Sequence, residues 1–232
     1  MKFAVVQFGG SNCDRDTWHV LQEVLGVDTD LVWYKEGLPR GCDAVVLPGG
    51  FSYGDYLRAG AIAARTPVMQ DIRRHVQDGK LVLGICNGAQ MSAEAGFIEG
   101  TFAINAYPKF LCRPVHLRVE TASSPFTSRF REGEVIRLPI AHKEGRFITP
   151  PETMAALNRE HRVAFRFCDE KGAVSEETNH NGSLESVTGV LGQYRNVLAL
   201  MPHPERASED VLGSADGRRI FESMIRHVEI EG

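Results

Sequence analysis

The chain has 232 residues, 43% of them hydrophobic and 24% charged, with a formal net charge of -4. That balance describes an ordinary globular protein able to bury one sizeable core and excludes a disordered or fibrous chain. The slight acidity gives no electrostatic reason to bind nucleic acid or a membrane surface. Five cysteines (13, 42, 86, 112 and 168) are odd in number and form no C-x-x-C pair. This is the usage of a reducing compartment, with neither a disulfide framework nor a metal site expected. Strand-like sequence begins at Phe3, which leaves no room for a signal peptide, and no apolar run approaches the roughly 18 residues of a bilayer span. A cytoplasmic protein is expected.

The first half alternates two periodicities. Phe3 to Phe8 is a compact apolar strand followed by a turn at Gly9-Gly10. Trp18, Leu21, Val24 and Leu25 then recur at helical spacing, and Gly26 fits a helix stop. Asp30 to Tyr34 and Ala44 to Leu47 read as the second and third strands. Thr66 and Pro67 have the pattern of an N-cap followed by proline at the first helical position. Met69, Ile72 and Val76 line that helix, Gly79 ends it, and Leu81 to Ile85 is the next strand. Strands separated by helices predict a doubly wound, mostly parallel α/β sheet with helices on both faces and ligands at the strand C-termini.

The second half is richer in strands, at Val115–Thr121, Val135–Pro139, Val163–Cys168, Val187–Leu191 and Val197–Met201. Gly217 to Val228 reads as a closing helix with Ile220, Phe221, Met224 and Val228 on one side. No repeat or linker interrupts the chain, so one domain spanning 1–232, with an antiparallel extension of the sheet, is the economical reading.

Three motifs carry chemistry. In Gly84-Ile85-Cys86-Asn87-Gly88 the apolar strand stops and delivers a cysteine where a helix begins. This is the sharp nucleophile elbow, which needs small residues at Gly84 and Gly88 and places the thiol over a helix N-terminus that favours thiolate. Far downstream, Met201-Pro202-His203-Pro204-Glu205 ends a strand with a histidine and, two residues later, a carboxylate. A histidine can activate the thiol and protonate a leaving nitrogen, and Glu205 can fix its tautomer. Pro48-Gly49-Gly50 follows the third strand, where backbone N–H groups can approach an oxyanion together with that of Asn87. The other four cysteines read as small core residues.

These motifs resemble the triad-type (class I) glutamine amidotransferase family, on Pro48-Gly49-Gly50, Gly84-x-Cys86-x-Gly88-x-Gln90 and His203-Pro204-Glu205. Gly10-Ser11-Asn12-Cys13-Asp14, the run from Gly49 to Gly60, Cys112-Arg113-Pro114 and the segment from Leu212 to Gly217 resemble its purine-biosynthesis branch. The resemblance implies a flavodoxin-like fold with Cys86 as nucleophile, His203 as acid and base, and Glu205 as its orienting partner. It implies Gly50 and Asn87 as oxyanion donors, and Gly49, Phe51, Gln90 and His142 around the substrate. The implied activity is hydrolysis of L-glutamine to glutamate and ammonia through a glutamyl thioester. The ammonia would pass to a large ATP-dependent synthase subunit that converts formylglycinamide ribonucleotide to the amidine, often with a small accessory subunit. No cofactor is implied in this chain, and no phosphate-binding motif is present; ATP and Mg2+ would belong to the synthase subunit. Gly9, Ala89 and Lys143 depart from the family pattern, where proline, phenylalanine and glycine are usual. Two other readings stay open on the residues alone: a cysteine hydrolase or another amidotransferase on this fold, and a catalytically idle regulatory subunit.

Overall fold

A computed structural model describes residues 1–231; Gly232, the last residue of the expected domain, lies outside the described residues. Eleven strands are found among these residues, nine of them in one sheet of order β2-β1-β3-β4-β11-β10-β9-β6-β7. β1 (Lys2–Gln7), β2 (Asp28–Trp33), β3 (Ala44–Leu47), β4 (Leu81–Ile85) and β11 (Val197–Leu200) are mutually parallel. β10 (Val187–Leu191), β9 (Val163–Cys168), β6 (Leu111–Val119) and β7 (Val135–His142) extend that sheet in antiparallel fashion.

Burial explains the pattern of the sequence. β3, β4 and β11 are buried at every position, so they read as continuous apolar runs, as strands covered on both faces do. β7, at the sheet edge, alternates between buried and more exposed positions. The helices are α1 (Asp14–His19), α2 (Val68–Gln77), α3 (Asn87–Glu94), α4 (Pro151–Arg159) and α5 (Arg218–Glu231). The crossover through α1 steps from β1 to β2, and the one through α2 steps the opposite way from β3 to β4. Right-handed crossovers of opposite direction put these helices on opposite faces of the sheet.

Several boundaries differ from the sequence reading. The first helix is α-helical only to His19 and continues as a π-helical turn, Val20–Val24, before Gly26 leaves it at φ +68°. Thr66 does not cap α2: its hydroxyl donates to the Ala63 carbonyl at 2.7 Å, closing the preceding 3-10 turn, and Pro67 takes the cap position. β6 starts four residues before Val115, and β7 runs three residues beyond Pro139. The prolines caused both truncations. Pro114 and Pro139 face each other in this edge pair, where a missing N–H is tolerated. β5 (Thr101–Ile104) and β8 (Glu144–Ile148), which form a separate two-stranded sheet, and α4 had no counterpart in the reading.

Register sets the stage for the site. Leu47 pairs with Gly84, and Leu200 pairs with Ile85, so β3, β4 and β11 end side by side. Their outgoing loops therefore begin at one place. The antiparallel half curls back toward it, because the His203 N–H donates to the Pro139 carbonyl of β7 at 2.9 Å.

Candidate active site

Cys86 stands between β4 and α3 with φ +50° and ψ -103°, a left-handed conformation that costs a non-glycine residue of order 1–3 kcal/mol. Its own N–H still donates to Leu200, at 2.8 Å, which holds the strained residue to the sheet. The two elbow glycines are required sterically. A Cβ on Gly84 would lie 2.5 Å from the Gly88 carbonyl oxygen, and one on Gly88 would lie 1.9 Å from that of Leu47. The thiol is 5% exposed and lies 3.6 Å from the Ala141 carbonyl of β7.

His203 leaves β11 through Met201 and Pro202 and is 2% exposed. Its Nδ1 lies 2.6 Å from Glu205 Oε1, so the carboxylate accepts the Nδ1 proton and leaves Nε2 as the basic nitrogen. Nε2 is buried without a hydrogen-bond partner among the described residues. Burial opposes a charge on the ring, yet Glu205 and then Cys86 attract one, and the net effect holds its pKa well above the usual histidine value. The turn carrying both residues is braced by α5. The Gly217 N–H donates to Ala207 at 2.7 Å, and a Cβ at Gly217 would lie 2.2 Å from the Pro204 oxygen.

The loop after β3 supplies the facing donors. Phe51 N–H and Asn12 N–H bond across to Gly10 and Gly49 carbonyls, pinning the loop against the turn after β1. The N–H groups of Gly50 and Asn87 donate to no backbone carbonyl among the described residues. The Asn87 side chain locks this arrangement: Oδ1 accepts from Ser52 N–H at 3.0 Å, and Nδ2 donates to Gln90 Oε1 at 2.9 Å. Gln90 Nε2 in turn donates to the Glu144 carbonyl at 2.5 Å, tying α3 to β8.

A cavity of about 220 Å³ opens at Cys86, lined by Gly50, Phe51, Asp55, Gln90, Phe110 and residues 141–144. At about 30 Å³ per water it holds roughly seven, the scale of one amino acid. Of the residues expected around a substrate, Phe51, Gln90 and His142 line it. Gly49 does not: it lies behind the imidazole, where a Cβ would come within 2.7 Å of the His203 ring. His142 is buried and neutral, since burial first and then the neighbouring His203 lower its pKa to about 3. Asn181 Nδ2 donates to the Gly145 carbonyl at 2.8 Å and lies 3.1 Å from His142 Nε2, which must therefore accept. The His142 proton is thus on Nδ1.

Sequence reasoning missed three groups. Asp55 and Glu144 line the cavity; Asp55 stands inside the run from Gly49 to Gly60, and Glu144 lies two residues after His142, signals that could have marked them. Cys13, read as a core residue, is indeed buried, but its sulfur packs 3.8 Å from His203 Nδ1 and accepts from Arg206 Nη2 at 3.1 Å. Ligand atoms of Cys13, His203 and Glu205 all lie within 4.8 Å of one another. With Nδ1 committed to Glu205 and a guanidinium on the thiol, this cluster is organised around hydrogen bonds and not around a cation.

Comparison with known proteins follows the same outline. Residues 1–226 match the family described as the CobB/CobQ-like glutamine amidotransferase domain. The chain is 59% identical over 228 residues to phosphoribosylformylglycinamidine synthase subunit PurQ of Methanosarcina acetivorans, covering 98% of each chain. It is 48% identical over 229 residues to the subunit of the same name in Methanocaldococcus jannaschii, covering 99% of each. Among solved structures it is similar to PurLQS from Thermotoga maritima, with a TM-score of 0.87 and 40% identity over 98% of both chains.

Proposed function

Since the chain belongs to the CobB/CobQ-like glutamine amidotransferase family, we propose that it is the glutaminase subunit of a phosphoribosylformylglycinamidine synthase in purine biosynthesis, releasing ammonia from L-glutamine. One observation supports the assignment of roles above all. Cys86 and Gly50 line one cavity of amino-acid size, the bonded pair His203–Glu205 interacts with Cys86, and the N–H groups of Gly50 and of Asn87, next to the thiol in sequence, are unengaged by backbone carbonyls among the described residues.

The chemistry follows from the positions. His203 Nε2 takes the Cys86 proton, and the sulfur attacks the side-chain carboxamide carbon of glutamine. The developing oxyanion is received by the N–H groups of Gly50 and Asn87, each contributing about 3 kcal/mol to the transition state. The imidazolium, stabilised by Glu205, then protonates the departing nitrogen, so ammonia leaves and a γ-glutamyl thioester remains. Water, deprotonated by His203, attacks that thioester; glutamate departs and the thiol regains its proton. Phe51, Gln90 and His142 hold the substrate, with Gln90 fixed from both ends by Asn87 and Glu144.

The ammonia acceptor belongs to a separate, ATP- and Mg2+-dependent synthase subunit, accompanied by a small accessory subunit. The rim of the cavity supports a docked partner: Phe51 and Phe110 are exposed, and beyond Phe51 Tyr56 and Leu57 are 75% and 88% exposed. Partner docking on this rim aligns the Gly50 loop, so the chain alone is a poor glutaminase. The test is glutamate release from glutamine by the chain alone and mixed with the synthase subunit, ATP and formylglycinamide ribonucleotide, with Cys86→Ala as the blank. Release that rises sharply in the full mixture and vanishes in the blank is the expected result. Release indifferent to the partner would leave an amidase with another acceptor, and no release at all would leave a regulatory subunit.

A further inference from the structure

The cavity contains two carboxylates that neither the fold nor the reaction at sulfur requires. Asp55 and Glu144 both line it, one from the loop after β3 and the other from the start of β8. Asp55 Oδ1 is buried and has no hydrogen-bond partner among the described residues. Such a group costs free energy unless something completes it. Burial first, and then the negative charge of Glu144, push its pKa up to about 6. The backbone that presents Asp55 is itself strained: Tyr53, Gly54 and Asp55 have φ of +54°, +69° and +56° in succession. Left-handed backbone at non-glycine residues of a cleft is a cost of the kind that functional placement explains.

Glu144 is equally fixed in place, because its carbonyl accepts from Gln90, on the first turn of the helix that follows Cys86. A second feature of the cavity calls for a polar ligand. His142 is among its lining residues, and the His142 Nδ1, the protonated nitrogen, is buried and also lacks a partner among the described residues. An uncompensated carboxylate oxygen, a second carboxylate beside it and an unused donor match an amino-acid zwitterion, not a simple amide.

We propose that Asp55 and Glu144 form the subsite for the α-ammonium group of the substrate, so that the cavity selects an amide carried on an α-amino acid. The inference rests on the reading of this cavity as the glutamine site. The bound ammonium donates to Asp55 Oδ1 and relieves the repulsion between the two carboxylates. A hydrogen bond to a charged group of this kind is strong enough to change selectivity by at least about tenfold.

The experiment compares L-glutamine with 4-carbamoylbutanoate, the same amide without its α-amino group, as substrates of the full synthase complex. Where turnover of the analogue is too slow to follow, its Ki against glutamine takes the place of kcat/KM. The wild-type complex should prefer glutamine by at least about tenfold. Asp55→Asn should lose that preference, falling on glutamine while changing little on the analogue, and Glu144→Gln should lose part of it. Equal losses on both compounds would reduce Asp55 to a structural residue and overturn the proposal, as would an unchanged preference in both variants. A wild-type complex that fails to hydrolyse L-glutamine overturns the underlying functional reading, and this inference with it.

Discussion

The parallel and antiparallel halves of the sheet meet at the cavity from different directions and contribute different things. Cys86, Gly50, Asn87, His203 and Glu205 all follow β3, β4 or β11, whose ends are aligned by hydrogen-bonded register. Ala141, His142, Lys143 and Glu144 come from β7, β8 and the turn between them, which reach the site only because the antiparallel half curls back. Bond making needs atoms held to a fraction of an ångström, and strand register supplies that. Recognition needs a wall of particular shape, and turns at an edge strand supply it. The division predicts that changes at Cys86, Asn87, His203 and Glu205 act on kcat, whereas changes in the antiparallel wall act on KM, as do changes at Phe51, Asp55 and Gln90, which reach the same cavity from the parallel half.

The largest effect that could break this comparison comes from Cys86→Ala. Glutamine-dependent turnover and thioester formation should fall at least about 10^4-fold. Thermal stability should stay near that of the wild type, since one buried sulfur atom is removed from a strained residue. Synthesis by the partner from an added ammonium salt should survive. Loss of the ammonium-driven reaction would show that the residue holds the complex together and does not simply start the chemistry.

Glu205→Gln comes next. Its Oε1 accepts the Nδ1 proton at 2.6 Å, and an amide in its place no longer stabilises the imidazolium. A loss of about 10^3- to 10^4-fold in kcat, with KM nearly unchanged, is expected from the orienting role. A rise in KM of similar size would place Glu205 in recognition and dissolve the division between the halves. In the other half, Asn181→Ala frees the tautomer of His142 without touching the substrate. Its expected signature is a KM for glutamine raised about fivefold to tenfold, with kcat within about threefold, the scale of one misdirected hydrogen bond.

The two halves also differed in how far the sequence disclosed them. β3, β4 and β11 are buried on both faces, so their apolar runs stand out against the glycines and prolines that follow. The elbow was legible because its sterics leave no choice at Gly84 and Gly88. β5 and β8 were invisible because each is four or five residues long and only partly buried, and β8 mixes Glu144, Gly145 and Arg146 with apolar residues. α4 had a signal that went unused, with Pro151 at its first position and Met154 and Leu157 buried three residues apart. Asp55 was hidden for another reason. A lone acid between glycine and tyrosine in a loop has the sequence appearance of a solvated surface residue, and only the curl of the sheet places Glu144 beside it.

The smallest effect concerns acid, and it separates the halves without disturbing the reaction. His75 on α2, flanked by Lys80 and bonded to the Leu81 carbonyl, has its pKa lowered to about 4, chiefly by burial. His142 is lowered to about 3 on the other side. Both are neutral when folded and take up protons at about 6.5 when unfolded, so the unfolded state binds more protons below that pH. Their contribution to stability is therefore complete above pH 6.5 and is lost as the pH falls toward 4 and then 3. Each tilts stability by at most about 1.4 kcal/mol per pH unit within its window. Denaturant melts between pH 7.5 and 4.5 should show a shallower decline for His75→Asn than for the wild type. The kcat/KM profile of this variant should keep its shape, because His75 lies away from the cavity. His142→Asn should likewise flatten the stability decline while raising KM at every pH in this range, since a histidine that titrates near 3 adds no limb to the profile. An acid limb that disappears in His142→Asn would mean that the antiparallel wall titrates during turnover, and proton movement would no longer belong to the parallel half alone.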